Sequence, residues 1–148
     1  VEGLIRIRPL APADLDAVLR IQDECPEIVR WSREGYERVL RGGYSGWVAV
    51  AGEAVCGFLV IREVGGEAEI LNFAVRRAAR RQGIGTRLLR EAISHAQNTG
   101  ARVVFLEVRA SNQPAIAFYE RQGFQQIGRR RDYYSAPRED ALLYSRTL

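Results

Sequence analysis

Two stretches of this sequence hold residues whose type and spacing could do chemistry. The first is Arg80-Arg81-Gln82-Gly83-Ile84-Gly85-Thr86, spaced Arg-x-x-Gly-x-Gly. Glycines let a backbone come close to an anion. A helix beginning there offers amides without internal partners and the positive end of its dipole. A diphosphate is the natural guest of such a loop, and a plain glycine-rich turn is the competing reading. The spacing is not the Gly-x-Gly-x-x-Gly of dinucleotide-binding folds, and the lysine of a P-loop is missing. The second stretch is Val103 to Val108, an apolar run interrupted by Glu107. A buried, unpaired carboxylate is costly, so Glu107 must be paired, protonated or at an opening in the sheet. Burial would raise its pKa from about 4.3 toward neutrality, which suits a general base. A structural ion pair with a nearby arginine is the alternative. Tyr119, in Ala-Ile-Ala-Phe-Tyr-Glu, serves either packing or proton transfer.

These residues need elements to position them. Leu4 to Arg8 alternates and reads as a first strand, broken by Pro9 and Pro12. Asp14 to Glu24 carries Leu15, Val18, Leu19 and Ile21 at helical spacing, with Asp14 as a candidate cap. Ser32 begins a second short helix. Trp47 to Ala51, Ala54 to Val64 and Glu67 to Val75 read as three strands in two antiparallel hairpins, with Gly65-Gly66 as the stronger turn signal. Gly83 to Ala96 is an amphipathic helix closed by Gly100. Arg102 to Val108 suits a buried strand. Asn112 can cap a helix that holds Pro114 in its first turn and stops at Gly123. Phe124 to Tyr133 and Asp140 to Thr147 form a last strand pair. The strand-helix-strand unit from Glu67 to Val108 implies a right-handed parallel crossover. The whole is a mixed α/β sheet covered by helices.

Composition narrows the chemistry. The 148 residues suit one domain, spanning 1–148. All 22 basic residues are arginine, which excludes mechanisms that need a lysine nucleophile. The net charge of +4 fits an anionic ligand and is too modest to establish a nucleic-acid partner. Cys25 and Cys56 have neither metal-ligand nor redox spacing and read as buried thiols; His95, the one histidine, reads as a solvated helix residue. No metal site is expected. No signal sequence and no membrane-length apolar run are seen, so the expected location is the cytoplasm.

Val75 followed five residues later by Arg-x-x-Gly-x-Gly resembles the acetyl-CoA pyrophosphate loop of the GNAT acetyltransferases. Leu106 to Phe124 (Leu-Glu-Val-Arg-Ala-Ser-Asn-Gln-Pro-Ala-Ile-Ala-Phe-Tyr-Glu-Arg-Gln-Gly-Phe) is similar to the RimI type within that superfamily. So are Arg129 to Tyr134 and the later Glu139-Asp140-Ala141. Trp31-Ser32 resembles an early Trp-Ser motif of the type, with Arg30 where a proline is usual. The resemblance implies a GNAT fold, a mixed and mostly antiparallel sheet of about seven strands flanked by about four helices. It implies acetyl-CoA as co-substrate. The backbone of Phe73, Ala74 and Val75 would pair with the pantetheine arm, Arg80 to Thr86 would cradle the pyrophosphate, and Asn112 would contact acetyl-CoA. Glu107 would be the general base and Tyr119 the general acid. Trp31, Tyr133 and Tyr134 would face the acceptor. The implied acceptor is a protein N-terminus, with a ribosomal protein as the target; a small-molecule amine is the alternative. Neither a direct nucleic-acid partner nor a membrane is implied.

Overall fold

Glycine pairs and side-chain caps cut the chain where its elements begin and end. In the computed structural model, which describes residues 4–148, Gly65 and Gly66 take φ of 60° and 84°. That left-handed pair closes a two-residue hairpin with the twist of its strands. It joins β3 (Ala54–Val64) to β4 (Glu67–Val75). Before them come β1 (Ile5–Pro9), α1 (Leu15–Glu24), α2 (Arg33–Leu40) and β2 (Tyr44–Ala51). After them come α3 (Ile84–Asn98), β5 (Val103–Arg109), α4 (Gln113–Arg121), β6 (Gln125–Ser135) and β7 (Arg138–Thr147). Ser32 caps α2 by accepting from the Gly35 amide at 3.1 Å. Asn112 caps α4 by accepting from the Ala115 amide at 3.3 Å. Each satisfies an amide that the helix cannot. Asp14 does not cap α1 as its position suggests. Its carboxylate turns back to the Ala11 amide (2.8 Å) and takes both terminal nitrogens of Arg8 (2.8 Å each).

The seven strands form one sheet in the order β1-β2-β3-β4-β5-β7-β6. Every neighbouring pair is antiparallel except β4 and β5, which run parallel because α3 carries the chain across. The sheet and its four helices have the architecture that the resemblance implies. The strand order is less direct than the chain order, since β7 enters between β5 and β6.

Each face of the sheet has its own core. Ile84, Leu88, Leu89, Ala92, Ile93 and Ala96 of α3 bury against Leu59, Ile61, Leu106 and Tyr144 on one face. Leu15, Val18 and Ile21 of α1, with Tyr36 and Val39 of α2, bury against Val48, Phe58, Val60 and Ala74 on the other. Each leucine, isoleucine, valine or phenylalanine among them contributes roughly 1.5–3 kcal/mol on leaving water. The second layer stops at β4. Beyond it Phe105, Glu107 and Leu143 line an open concavity of about 570 Å³. β5 is therefore covered on one face only: Val104, Leu106 and Val108 are buried, while Val103, Phe105, Glu107 and Arg109 are half-buried. The continuous apolar run had suggested cover on both.

The parallel pairing of β4 and β5 is short. It joins Glu67, Ala68 and Glu69 to Val103, Val104 and Phe105, and then ends. The β3–β4 register shifts at the same place, with Ile61 opposite Ile70 and Val60 opposite Asn72, so Leu71 is an extra residue in β4. A bulge bends its strand and increases local twist. Beyond it β4 and β5 part, and a wedge opens in the middle of the sheet. The bulge also reverses the alternation of β4. Ala68 and Ile70 face the α3 core, and so do Phe73 and Val75, while Asn72 and Ala74 turn to the opposite face.

Two smaller expectations meet different outcomes. Cys25 and Cys56 are buried free thiols. His95 is not simply solvated: its Nε2 lies 3.0 Å from Glu63 and 3.2 Å from Ser45, and its ring meets Trp47 at 5.2 Å.

Candidate active site

The wedge collects most of the residues that the sequence singles out. On its β4 side the backbone beyond Glu69 pairs with β3 only, leaving along Phe73 to Val75 an edge without a second strand partner, on which the Phe73 amide meets the side chain of Asn72 and the Val75 carbonyl that of Arg80. Such an edge accepts an extended chain as an added strand. At the end of β4 the chain turns into α3. Gly83 stands at the helix start with φ of 79°, and a Cβ there would meet nothing within 4 Å. No side chain caps this helix, so the amides of Ile84, Gly85 and Thr86 face outward unpaired by the helix itself. A left-handed glycine, open space and uncapped amides fit a diphosphate. Gly85 lies below, where a Cβ would sit 3.6 Å from Phe118 and Phe73.

The arginines of this region divide into two groups. Arg77 donates from its Nε to the Glu24 carbonyl and from its amide to the Glu24 carboxylate, at 3.0 and 3.1 Å. Arg76 lies 3.5 Å from Glu24 and Arg80 lies 3.6 Å from Glu27. The Arg80 guanidinium also donates to the Val75 carbonyl at 3.1 Å and rests 3.1 Å from the Cys25 sulfur. These three side chains tie the loop to the end of α1. Arg81, with φ of 64°, Arg87 and Arg90 form no ion pair among the described residues.

Glu107 and Tyr119 approach the wedge from opposite faces. Glu107 projects from β5 into the open concavity. It is paired and lies at an opening, two of the three conditions that its sequence position allows. Arg130 Nε comes to 3.1 Å of Oε2, and the Tyr133 hydroxyl reaches Oε1 at a long 3.5 Å. The arginine is close but not aligned to donate, so Oε2 is buried without a hydrogen bond. Tyr119 projects from α4 into the other core and is 8% exposed. Its ring lies 6.3 Å from Phe73 and 5.6 Å from Phe124. Burial, with Tyr134 nearby, pushes its hydroxyl well above the ordinary tyrosine range, so it holds its proton.

The bulged strand β6 supplies the third wall. Between Arg130 opposite Ala141 and Tyr134 opposite Glu139, three residues of β6 face Asp140 alone. Asp132 takes φ of 51°, and its amide donates to Asp140 at 2.9 Å. Arg129 pairs with the other oxygen of Asp140 at 2.7 Å. This bulge turns Tyr133 toward Glu107. Tyr134 packs against it at 5.1 Å, its hydroxyl pushed up to about 12, first by burial and then by the Glu107 carboxylate.

Trp31 reaches the site through a network that sequence reasoning missed. Gln22 donates to the Trp31 carbonyl (2.8 Å) and accepts from its amide (2.9 Å) and from the Tyr36 hydroxyl (2.7 Å). The Asn72 side-chain amide donates to the Tyr36 hydroxyl and the Val29 carbonyl, both at 3.0 Å. Its oxygen accepts from the Phe73 amide at 3.1 Å. The chain between α1 and α2 is thereby joined to the open edge of β4. Gln22 at a buried helical position and Asn72 inside an apolar strand were the available signals: polar side chains where periodicity asks for apolar ones. Asn112 stands where β5 passes into α4, its side-chain oxygen engaged by the cap.

A profile of the acetyltransferase (GNAT) family matches residues 15–124. The [ribosomal protein bS18]-alanine N-acetyltransferase of Escherichia coli K12 is 33% identical over 93% of this chain and 93% of its own length. An uncharacterized protein of Mycobacterium leprae is 34% identical over 96% of this chain, which spans 40% of that relative's length. The crystal structure of the E. coli ribosomal-protein-S18-alanine N-acetyltransferase superposes with a TM-score of 0.87 at 31% identity, over 97% of this chain and 94% of that one. Arabidopsis thaliana NAA60 in complex with acetyl-CoA superposes at 0.86 with 25% identity, over 97% and 98%. With the wedge, the uncapped helix and these likenesses together, the chain belongs to the GNAT family and is an acetyl-CoA-dependent acyltransferase.

Proposed function

We propose that this enzyme acetylates the N-terminal α-amine of a protein, with a ribosomal protein as its acceptor. The observation that carries the reading is the Glu107 carboxylate lining a concavity of about 570 Å³, its Oε2 ion-paired with Arg130 at 3.1 Å but without an aligned hydrogen bond. A carboxylate oxygen with its hydrogen-bonding direction unfilled suits an incoming ammonium. The names of the relatives support the acceptor class. A ribosomal acceptor places the reaction in the cytoplasm, and no helix among the described residues is long and apolar enough to cross a membrane.

Acetyl-CoA, when bound, supplies an acetyl group on a thioester. The α3 amides, Gly83 and Arg81 would hold its phosphates, the β4 edge from Phe73 to Val75 its pantetheine arm, and Asn112 would lie beside it. Glu107 takes a proton from the acceptor ammonium, since only the neutral amine attacks. Tyr119 keeps its own proton at neutral pH and donates it to the departing sulfur from the other face, the second proton released by the acylated nitrogen returning the tyrosine to its neutral form. An α-amine titrates near 8 and a lysine amine near 10.4, so at pH 7.5 roughly a quarter of the former is neutral against roughly 0.1% of the latter. A protein N-terminus is the easier nucleophile for a single carboxylate base. Trp31, Tyr133 and Tyr134 would flank the incoming chain.

The test is to incubate the protein with acetyl-CoA and a panel of N-terminal peptides beside amino acids, polyamines and aminoglycosides. Thiol release with peptides, and acetylation of their α-amine by mass spectrometry, is the expected result. Turnover confined to the small amines would replace this reading with a small-molecule one.

A further inference from the structure

Arg109 has no part in the chemistry above, yet three parts of the site converge on it. It stands two residues after Glu107 on β5, so the two side chains share one face of the strand. Its side chain is 14% exposed and reaches across to the turn between β6 and β7. Nη1 donates to the Pro137 carbonyl at 3.0 Å and to Glu139 Oε1 at 3.2 Å. Nη2 donates to the Ala136 carbonyl at 3.3 Å. The guanidinium plane also covers the Tyr134 ring, with Cζ 4.3 Å from its centroid. Glu139 extends the contact, because its second oxygen accepts from the Ser111 amide at 2.5 Å. Ser111 directly precedes Asn112, the cap of α4.

We propose that Arg109 is a positioning residue that clamps the tyrosine-bearing arm of β6 and β7 against the strand of the general base. The proposal rests on the peptide-acceptor reading given above. One planar fork serves two carbonyls, one carboxylate and one aromatic face. A lysine, as a point charge with tetrahedral donors, cannot reproduce that set. The clamp fixes Tyr133 and Tyr134 relative to Glu107. Through Glu139 and Ser111 it fixes both relative to the start of the helix that carries Tyr119. A free arm would leave the carboxylate and the helix in place and lose the wall against which an acceptor chain is aligned. Arg109 thus governs acceptor binding rather than acetyl-CoA binding.

The experiment compares Arg109→Met, which keeps most of the aliphatic volume, with Arg109→Lys and the parent enzyme. Peptide KM and kcat are measured by thiol release, acetyl-CoA Kd by calorimetry, and backbone exchange by mass spectrometry. Arg109→Met should raise peptide KM by about tenfold or more, the effect of losing charge-assisted hydrogen bonds, with kcat at saturation and acetyl-CoA Kd changed about twofold at most. Arg109→Lys should fall between. Amide exchange should quicken in residues 131–138 and not in α3. An unchanged peptide KM in Arg109→Met overturns the proposal. So does a parallel loss of KM, kcat, Kd and exchange protection throughout the chain, which marks a structural residue. Should the parent turn over no peptide at all, the acceptor reading fails instead. The exchange measurement needs no acceptor and still decides whether the clamp exists.

Discussion

Glu107 and Tyr119 face the wedge from opposite sides of the sheet, and the base and acid roles proposed for them would give each its own pH signature. Glu107→Gln should reduce peptide turnover by about 10²-fold or more near neutrality while acetyl-CoA affinity holds. The deficit should shrink as pH rises past the amine pKa, because the nucleophile then forms unaided. Tyr119→Phe keeps the ring in its aromatic cluster and removes only the proton, so turnover should drop with little change in melting temperature. High pH should not restore it, since the proposed role is that of an acid. Two pH–rate profiles of the same shape would refute this division of labour. Asp14 gives a stability test away from the chemistry. Its carboxyl is held below the ordinary range, first by the hydrogen bond from Arg8 and then by the Ala11 amide, against the opposing effect of burial. A lowered folded pKa contributes stability above the unfolded value near 3.9, and that contribution disappears as pH falls through the folded value. Asp14→Asn should therefore cost about 2 kcal/mol at pH 7, the worth of charged hydrogen bonds at a half-exposed pair. The gap in melting temperature from the parent should narrow below about pH 4. A gap of equal size at pH 3 and pH 7 would assign the effect to packing.

At the scale of elements, two positions test the proposed acetyl-CoA cleft. Gly83 needs a left-handed backbone, and a Cβ there strains the chain by about 1–2 kcal/mol without meeting another atom. Gly83→Val should fold, melt slightly earlier and bind acetyl-CoA more weakly; calorimetry on the folded variant showing parental affinity would remove the loop from the site. Leu71 tests the wedge itself. Without it the β3–β4 register runs unbroken and the cause of the divergence from β5 is gone. Deleting Leu71 should leave a folded sheet that no longer binds acetyl-CoA, whereas full retention of binding would mean that the wedge has another origin. Leu71 also shows where sequence reading stops. The Gly65-Gly66 hairpin, the Ser32 and Asn112 caps and the α3 periodicity were legible because each is settled within a few neighbouring residues. The slip at Leu71 was not, because Glu-Ala-Glu-Ile-Leu-Asn-Phe-Ala-Val alternates plausibly in either phase and only the partner strands decide between them. Asp14 misled for the same reason: a side chain before a helix is a cap unless an arginine on another strand competes for it. Glu139 and Asp140 were legible as a motif and silent as to task. One completes the Arg109 clamp and the other fills the β6 bulge, and both acts depend on contacts across the sheet.

At the scale of the whole molecule, the sheet consists of two parts joined by a short seam. β1 to β4, with α1 and α2, carry the chain around Trp31 and the open β4 edge. β5 to β7, with α4, carry Glu107, Tyr119 and the tyrosine arm. Three residue pairs, the packing of α3 and the contacts of Phe73 with Phe118 and Tyr119 join the parts. Element order and the parallel crossover followed from the sequence; the one-sided cover of β5 did not. Nor did the entry of β7 between β5 and β6, because strand pairing between distant segments leaves no local signature.

The seam has a consequence for the protein in solution without its ligand. Two strand edges lie open at the centre of the sheet, where most proteins have none, and open edges recruit the strands of other chains. Acetyl-CoA held along them, as proposed, would double as a stopper that keeps neighbours out. Concentrated ligand-free protein should scatter light increasingly on warming, well before it loses helix content. A stoichiometric amount of acetyl-CoA should delay that scattering more than it raises the melting temperature. If the delay merely tracks the gain in melting temperature, the open edges are harmless and aggregation begins from the unfolded chain.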